Sequence, residues 1–383
     1  MSNKYILPEG SLISYFSNKV KLNGGINLAQ GLPGFQPPLK LQQKLSEISL
    51  RNDIHQYAPG IGNFKLIELI QQYYKKYDPT LTNDSILITQ GATEAITLVY
   101  LYHKQKYGKL NVLGFDPVYE SYNNLPKNFG DNFFAFTFDN NILDLDKLEN
   151  TIRNNNINLL FINSPGNPLG RIFKENEIKK IIELSEKYKF SILIDAVYRE
   201  LYFYSEPYIP FNTKNQYLYY VNSFSKLYSI TGWRVGYLIC DKEQMKKIRS
   251  IHDYTGLCVA NPIQTAITEY IAECGFINEY VHITRKSIFE SFSLLQKELN
   301  KLKFTIPTIE GGYFIWAELP TQFDDCFRFA VDLYDNQKVA IIPGIHFSQN
   351  AIRFVRFNAA HPISVITKAI ECINNFFNSF SAK

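Results

Sequence analysis

Between Ser85 and Cys240 short apolar runs alternate with stretches whose apolar residues recur at helical spacing. ILIT (86–89), NVLGF (111–115), FFAFTF (133–138), LLFIN (159–163), SILID (191–195), LYYVNSF (218–224) and GYLIC (236–240) read as strands. ATEAITLVYLYHKQ (92–105) reads as a helix. In KENEIKKIIELSEKYK, Ile178, Ile181, Ile182 and Tyr188 share one face at helical spacing. Strand, amphipathic helix, strand implies right-handed crossovers and an α/β fold, with a largely parallel sheet flanked by helices. Ligands of such sheets collect at the carboxyl ends of the strands.

After about residue 265 the pattern changes to a long helical stretch, then FTIPTIEGGYFIWAEL, VAIIPG, AIRFVRF and a final helix. This predicts a smaller α+β domain built from residues 266–383 and joined by residues 1–40, beside a large domain over residues 41–265.

The hydrophobic fraction, 45 %, and the charged fraction, 20 %, are those of a globular chain able to bury a large core. A net charge of +4 with Lys and Glu interleaved is too mild for a nucleic-acid footprint. The five cysteines show no CxxC pair and no histidines at metal-ligand spacing, so free thiols in a reducing cytoplasm and no metal site are expected. No run approaches the roughly 18 apolar residues of a membrane span, and the first residues lack a signal-peptide core.

Four segments carry chemistry. In SFSKLYSITGWRVGY, Lys226 follows a strand, with Ser223 three residues before it and Arg234 eight after. A deprotonated lysine can form a Schiff base with an aldehyde, and serine and arginine can hold a phosphate. In SILIDAVY, Asp195 closes an apolar strand with Tyr198 three residues on; a carboxylate there is either a turn residue or an anion facing a protonated pyridine nitrogen. NSPGNPLG (163–170) follows another strand and is either a plain turn or the carrier of an amide donor, Asn167. In TQGATEA a strand passes through Gly91 into a helix whose free N–H groups at Ala92 and Thr93 suit a phosphate.

The order and content of these segments, with INLAQGLPGF, HQYAPGIGN, FDPVYESY, EGGYFIWAEL and AIRFVRF, resemble the fold-type I pyridoxal-phosphate aminotransferases of class I/II across nearly the whole chain. Within that family the likeness is strongest to the methionine and kynurenine–oxoacid aminotransferases. The resemblance implies pyridoxal 5′-phosphate as cofactor and amino acids and 2-oxoacids as substrates. Lys226 would be the Schiff-base lysine and the proton shuttle, Asp195 the partner of the pyridine nitrogen, and Asn167 and Tyr198 the contacts of the phenolic oxygen. Tyr119 would stack on the ring, while Ala92, Thr93, Ser223 and Arg234 would bind the phosphate. Tyr57 would reach the phosphate of a neighbouring subunit in a homodimer. Gly31 would lie by the substrate carboxylate and Arg353 would bind it, leaving Arg356 as a solvated or interface charge. The donor expected is a large uncharged amino acid, methionine first and aromatic residues next, with Tyr15, Phe16 and Phe35 near its side chain. VANPIQ (259–264), with Val259 and Ala260, lacks the aromatic–His pair of the kynurenine-specialised members. A C–S β-lyase would use the same residues with a different proton fate. A pyridoxal-phosphate-sensing transcriptional regulator would need a DNA-binding domain, for which there is no room before residue 26.

Overall fold

The computed structural model of the chain describes residues 5–139, 141–210 and 214–381. Helix α1 (Leu12–Asn23) leads into a two-residue strand, β1 (Ile26–Asn27), followed by α2 (Leu39–Ile48) and α3 (Phe64–Tyr74). The central alternation then runs β2 (Ile86–Thr89), α4 (Ala92–Tyr107), β3 (Asn111–Asp116), α5 (Glu120–Asn128), β4 (Asn132–Thr137), α6 (Leu145–Asn154), β5 (Leu159–Asn163), α7 (Glu175–Tyr188), β6 (Ser191–Asp195) and β7 (Leu218–Ser223). A one-turn helix α8 (Phe224–Leu227) separates β7 from β8 (Gly236–Cys240), and α9 (Lys242–Thr255), α10 (Asn261–Cys274) and α11 (Glu279–Lys301) follow.

The seven strands form one sheet in the order β2-β8-β7-β6-β5-β3-β4, parallel throughout except at β8, which runs antiparallel to both neighbours. The apolar runs have this composition because both faces of the sheet are covered. In β5, Leu159 and Phe161 enter the core under α4, while Leu160 and Ile162 enter the core under α7. The mostly parallel α/β architecture expected from the alternation is the one observed.

The C-terminal part adds β9 (Phe314–Glu318), α12 (Cys326–Gln337), β10 (Val339–Ala340), β11 (Ile342–Pro343), β12 (Phe354–Asn358) and α13 (Ile363–Ser381). Strands β11, β12 and β9 form an antiparallel sheet, and β1 pairs in parallel with β10, Ile26 opposite Val339. Leu12, Phe16, Leu28 and Ala29 of the N-terminal segment are buried in this second core with Phe327, Tyr334 and Phe357. Helix α10 packs on α2 and α3. Among the described residues no helix is long and apolar enough to cross a membrane.

Candidate active site

The carboxyl ends of β5, β6 and β7 bring Asn163, Asp195 and Ser223 to one edge of the sheet, where antiparallel β8 begins with Gly236 opposite Ser223. A cavity of about 270 Å³ opens there. Gly31, Ala92, Thr93, Tyr119, Asn167, Asp195, Tyr198, Ser223, Lys226 and Arg234 all line it. They come from distant segments of the chain, gathered because the crossovers return it to the same edge.

One end of the cavity is built for an anion. Helix α4 starts here with its N-terminal N–H groups free of any side-chain cap. Its N-cap, Gly91, has φ +78°, and a Cβ at that position would meet Arg234 Nη2 at 2.5 Å. Glycine is needed for the backbone angle and to admit the guanidinium. Gly236 serves the same end, since a Cβ there would lie 2.9 Å from Ala92 N. Arg234 donates to the carbonyls of Thr231 and Gln90, at 3.0 and 3.3 Å, which leaves much of its fork free for an anion. The Ser223 hydroxyl is held by Val235 O and Ser225 Oγ, at 2.9 and 2.8 Å.

At the middle of the cavity Asp195 is almost fully buried. Its Oδ2 accepts from Tyr122 Oη at 2.6 Å and its Oδ1 from Val197 N at 3.1 Å. Burial pushes this carboxyl up to about 6, against the pull of those two donors and the charge of Lys226. A cation brought against it would favour the ionised form again. Tyr122, three residues after Tyr119, is a site residue that sequence reasoning missed. Its spacing in VYESY fits one helical turn, and the Tyr122 ring stacks on Phe161 beneath the cavity.

Lys226 sits in α8, directly after β7. Burial and the charges of Arg356 and Arg234 lower its amine to about 8, with Asp195 opposing them. Its Nζ donates to Gly31 O at 2.5 Å, and Tyr313 Oη donates to the same carbonyl at 3.0 Å. The N-terminal loop therefore forms a wall of the cavity facing the lysine.

The two arginines of AIRFVRF require a correction. Arg353 does not line the cavity; it precedes β12 and donates to Glu318 Oε1, Leu319 O and Phe323 O at 3.2, 2.7 and 3.1 Å. Arg356 is the buried one, with no exposed surface, and it faces the cavity. Its Nη1 donates to Asn167 Oδ1 at 2.9 Å and its Nη2 to Ala29 O at 2.5 Å, while its buried Nε has no partner. Phe314 and Phe347 flank the guanidinium, at 4.1 and 4.8 Å from the ring centres. Burial lowers its pKa to about 10, which leaves it charged at neutral pH. The reason is strand parity. Val355 and Phe357 enter the C-terminal core, so Arg356 and Asn358 share the opposite face, where Asn358 Nδ2 holds the carbonyls of Gln30 and Leu32. The polar–apolar–polar triplet Arg-Phe-Asn carried that signal.

Other expected residues lie elsewhere. Tyr57 is 82 % exposed and lines a separate, open cavity with Val259, Ala260 and the outer side of Arg234. Phe16 is in the C-terminal core with Tyr15 packed at its edge, and Phe35 packs beside Tyr198 and Tyr313. The apolar lining near Gly31 comes instead from Ile13 and Leu32, together with Val197.

Comparison with known proteins agrees with this geometry. The family model described as aminotransferase class I and II matches residues 23–373. A probable aspartate aminotransferase of Methanocaldococcus jannaschii is 28 % identical over 92 % of this chain and 93 % of its own. The human kynurenine–oxoglutarate transaminase 3 is 24 % identical over 91 % of this chain and 84 % of its own. Among solved structures, a Thermus thermophilus aspartate aminotransferase double mutant superposes with a TM-score of 0.87 at 21 % identity, covering 98 % of this chain and 99 % of that one. The N-succinyldiaminopimelate aminotransferase of Mycobacterium tuberculosis has the same TM-score at 24 % identity, covering 98 % of this chain and all of the other.

Proposed function

Because the chain belongs to the class I and II aminotransferases, enzymes that use pyridoxal 5′-phosphate, we propose that it moves the amino group of a large uncharged amino acid to a 2-oxoacid. Methionine is the first candidate donor and aromatic amino acids the next. The residues present fit the cofactor. Gly91, Ala92, Thr93, Ser223 and Arg234 would hold its phosphate, Asp195 its ring nitrogen, Asn167 and Tyr198 its phenolic oxygen, and Tyr119 the face of its ring. When bound, the cofactor supplies a conjugated cationic ring that withdraws electrons from the substrate's Cα.

The chain's own residues do the rest. Lys226, whose amine burial and the neighbouring charges of Arg356 and Arg234 lower to about 8, would be the residue that holds the cofactor through its aldehyde carbon. Once the substrate's amine has taken its place there, the freed Nζ would be the base that takes the Cα proton and returns it, and Gly31 O helps orient that atom. Arg356 is the proposed anchor of the substrate carboxylate, replacing Arg353 in that role. Its Nε lacks a partner, and its two bonds to Asn167 and Ala29 fix the fork against the cofactor side of the cavity. Ile13, Leu32 and Val197 keep the side-chain end apolar.

The observation that carries the donor reading is the inventory of cations. Lys226, Arg234 and Arg356 are the cations lining the cavity among the described residues, and each has work at the reacting end. A second carboxylate would enter unpaired, at a desolvation penalty on the order of several kcal/mol. The curated relatives carry names as different as aspartate, N-acetyl-diaminopimelate and kynurenine–oxoglutarate aminotransferase at 24–28 % identity, so the pocket is the better guide to the donor. The test is kcat/KM for methionine, phenylalanine, kynurenine and aspartate with one acceptor, with pyruvate release from a cysteine S-conjugate as a check for lyase turnover. Aspartate ahead of methionine overturns the donor assignment.

We also propose a homodimer in which Tyr57 reaches across to the neighbouring phosphate site, a reading supported by its exposure beside Arg234. Five free cysteines support the cytoplasm as the compartment.

A further inference from the structure

Glu120 lines the cavity of Lys226 and has no part in the mechanism above. It opens α5, directly after Tyr119, and it also lines a wide outer cleft of about 960 Å³ that holds Lys127 and His346. It therefore stands on the wall between the reacting chamber and that cleft. Its carboxylate is fixed. Ser11, the N-cap residue of α1, donates Oγ–H to Oε2 at 2.9 Å. His346 Nε2 stands 3.1 Å from the same oxygen, although the ring N–H is not aimed for a hydrogen bond. Burial pushes the Glu120 carboxyl up, but His346, Ser11 and the charge of Arg356 outweigh it and leave the group ionised at neutral pH. The cavity thus has a cationic end for the substrate's α-carboxylate and, within electrostatic reach of it, a fixed anion.

We propose that Glu120 is a specificity-determining residue that selects against amino donors and acceptors bearing a second carboxylate. This deepens the donor reading and rests on its placement of the substrate, with the α-carboxylate on Arg356. The argument is electrostatic. A distal carboxylate entering this chamber meets no free cation among the lining residues and meets a like charge. An uncharged isostere avoids the repulsion, and its distal N–H can donate to the carboxylate oxygens. Ser11 and His346 are positioning residues, since each touches Glu120 and neither lines the chamber.

The experiment compares glutamine with glutamate, which differ in charge at nearly constant shape, on the holoenzyme at pH 8.5. The quantity read is the ratio of their kcat/KM values, in the native enzyme, in Glu120→Gln and in Glu120→Ala. A ratio within one variant cancels general losses of activity, so a partly impaired variant still reports. Glu120→Gln keeps an acceptor for Ser11 and removes only the charge. The glutamine-to-glutamate ratio should fall about tenfold in both variants, a change equal to roughly 1.4 kcal/mol. The Kd of the cofactor-loaded enzyme for glutarate, a substrate-like dicarboxylate, should tighten by a similar factor. A ratio that stays within twofold of native in both variants overturns the proposal. The donor reading fails separately, if native enzyme prefers aspartate to methionine, and that comparison does not involve the variants.

Discussion

Replacing Arg356 by alanine should abolish carboxylate recognition, and the size of the effect follows from its contacts. The guanidinium is wholly buried between Phe314 and Phe347, with its fork held by Asn167 Oδ1 and Ala29 O. A substrate carboxylate taken by that fork gains two charge-assisted hydrogen bonds, each worth about 1.5–3 kcal/mol. Their loss amounts to about 3–6 kcal/mol, or on the order of 10²–10⁴-fold in kcat/KM for every amino acid alike. Folding should suffer less. Asn167 Oδ1 and Ala29 O lose a donor at about 1–3 kcal/mol each, while removal of a buried cation offsets much of that. Arg356→Lys keeps the charge and loses the fork, so it should fall between the two. Arg353 is the control, a partly exposed side chain on Glu318 and two loop carbonyls. An exposed pair of that kind is worth about 0–1 kcal/mol, and Arg353→Ala should change kcat/KM less than twofold. Steady-state kinetics with methionine and phenylalanine, alongside thermal melts, measure both effects. A larger kinetic loss at Arg353 than at Arg356 refutes the parity argument for β12.

Borohydride reduction of the yellow enzyme followed by peptide mapping should place the phosphopyridoxyl group on Lys226; a label on another lysine removes it from its role. The amine of Lys226 must be neutral to attack the cofactor, and its pKa of about 8 means that it is mostly protonated below that pH. Loading of apoenzyme should therefore quicken as pH rises through about 8 and level off above it, and a flat rate from pH 6.5 to 9.5 contradicts the assignment. Tyr122→Phe removes the 2.6 Å bond to Asp195 and should lower kcat about tenfold, the effect of one charge-assisted bond, with the cofactor retained; an unchanged kcat removes Tyr122 from the site. Tyr57→Phe should weaken cofactor binding by about 1 kcal/mol in fluorescence titration, and a fully active monomer counts against the shared site.

The strands of the main sheet were legible because each is apolar on both faces, as in LLFIN and SILID. The direction of β8 was not, since nothing in GYLIC distinguishes a parallel from an antiparallel neighbour. Lys226, Asp195 and Asn167 were legible because each directly follows or closes an apolar strand in a sheet whose strand ends converge. Arg356 was misread because the resemblance put Arg353 on the substrate carboxylate. Arg353 lies before β12, and within the strand it is the alternation of Arg356 and Asn358 that marks the face looking at the cavity. Glu120 gave no signal at all, because its meaning depends on Ser11 and His346, which are 109 and 226 residues away and meet it only in the folded chain.

The pairing of β1 with β10 also imposes an order in time. Val339 is made well after its strand partner Ile26, roughly 15–60 s later at about 5–20 residues per second. Gly31, whose carbonyl holds Lys226 Nζ, follows that short strand, and Asn358 of β12 holds the carbonyls on either side of it. The lysine is therefore made before the strands that anchor the backbone facing it. A nascent chain halted between β8 and β10 should present Lys226 in a chamber open on one side, accessible to a free aldehyde. Arg356, the proposed carboxylate anchor on β12, comes later still, so the residues proposed to hold the cofactor are made before the one proposed to bind the substrate.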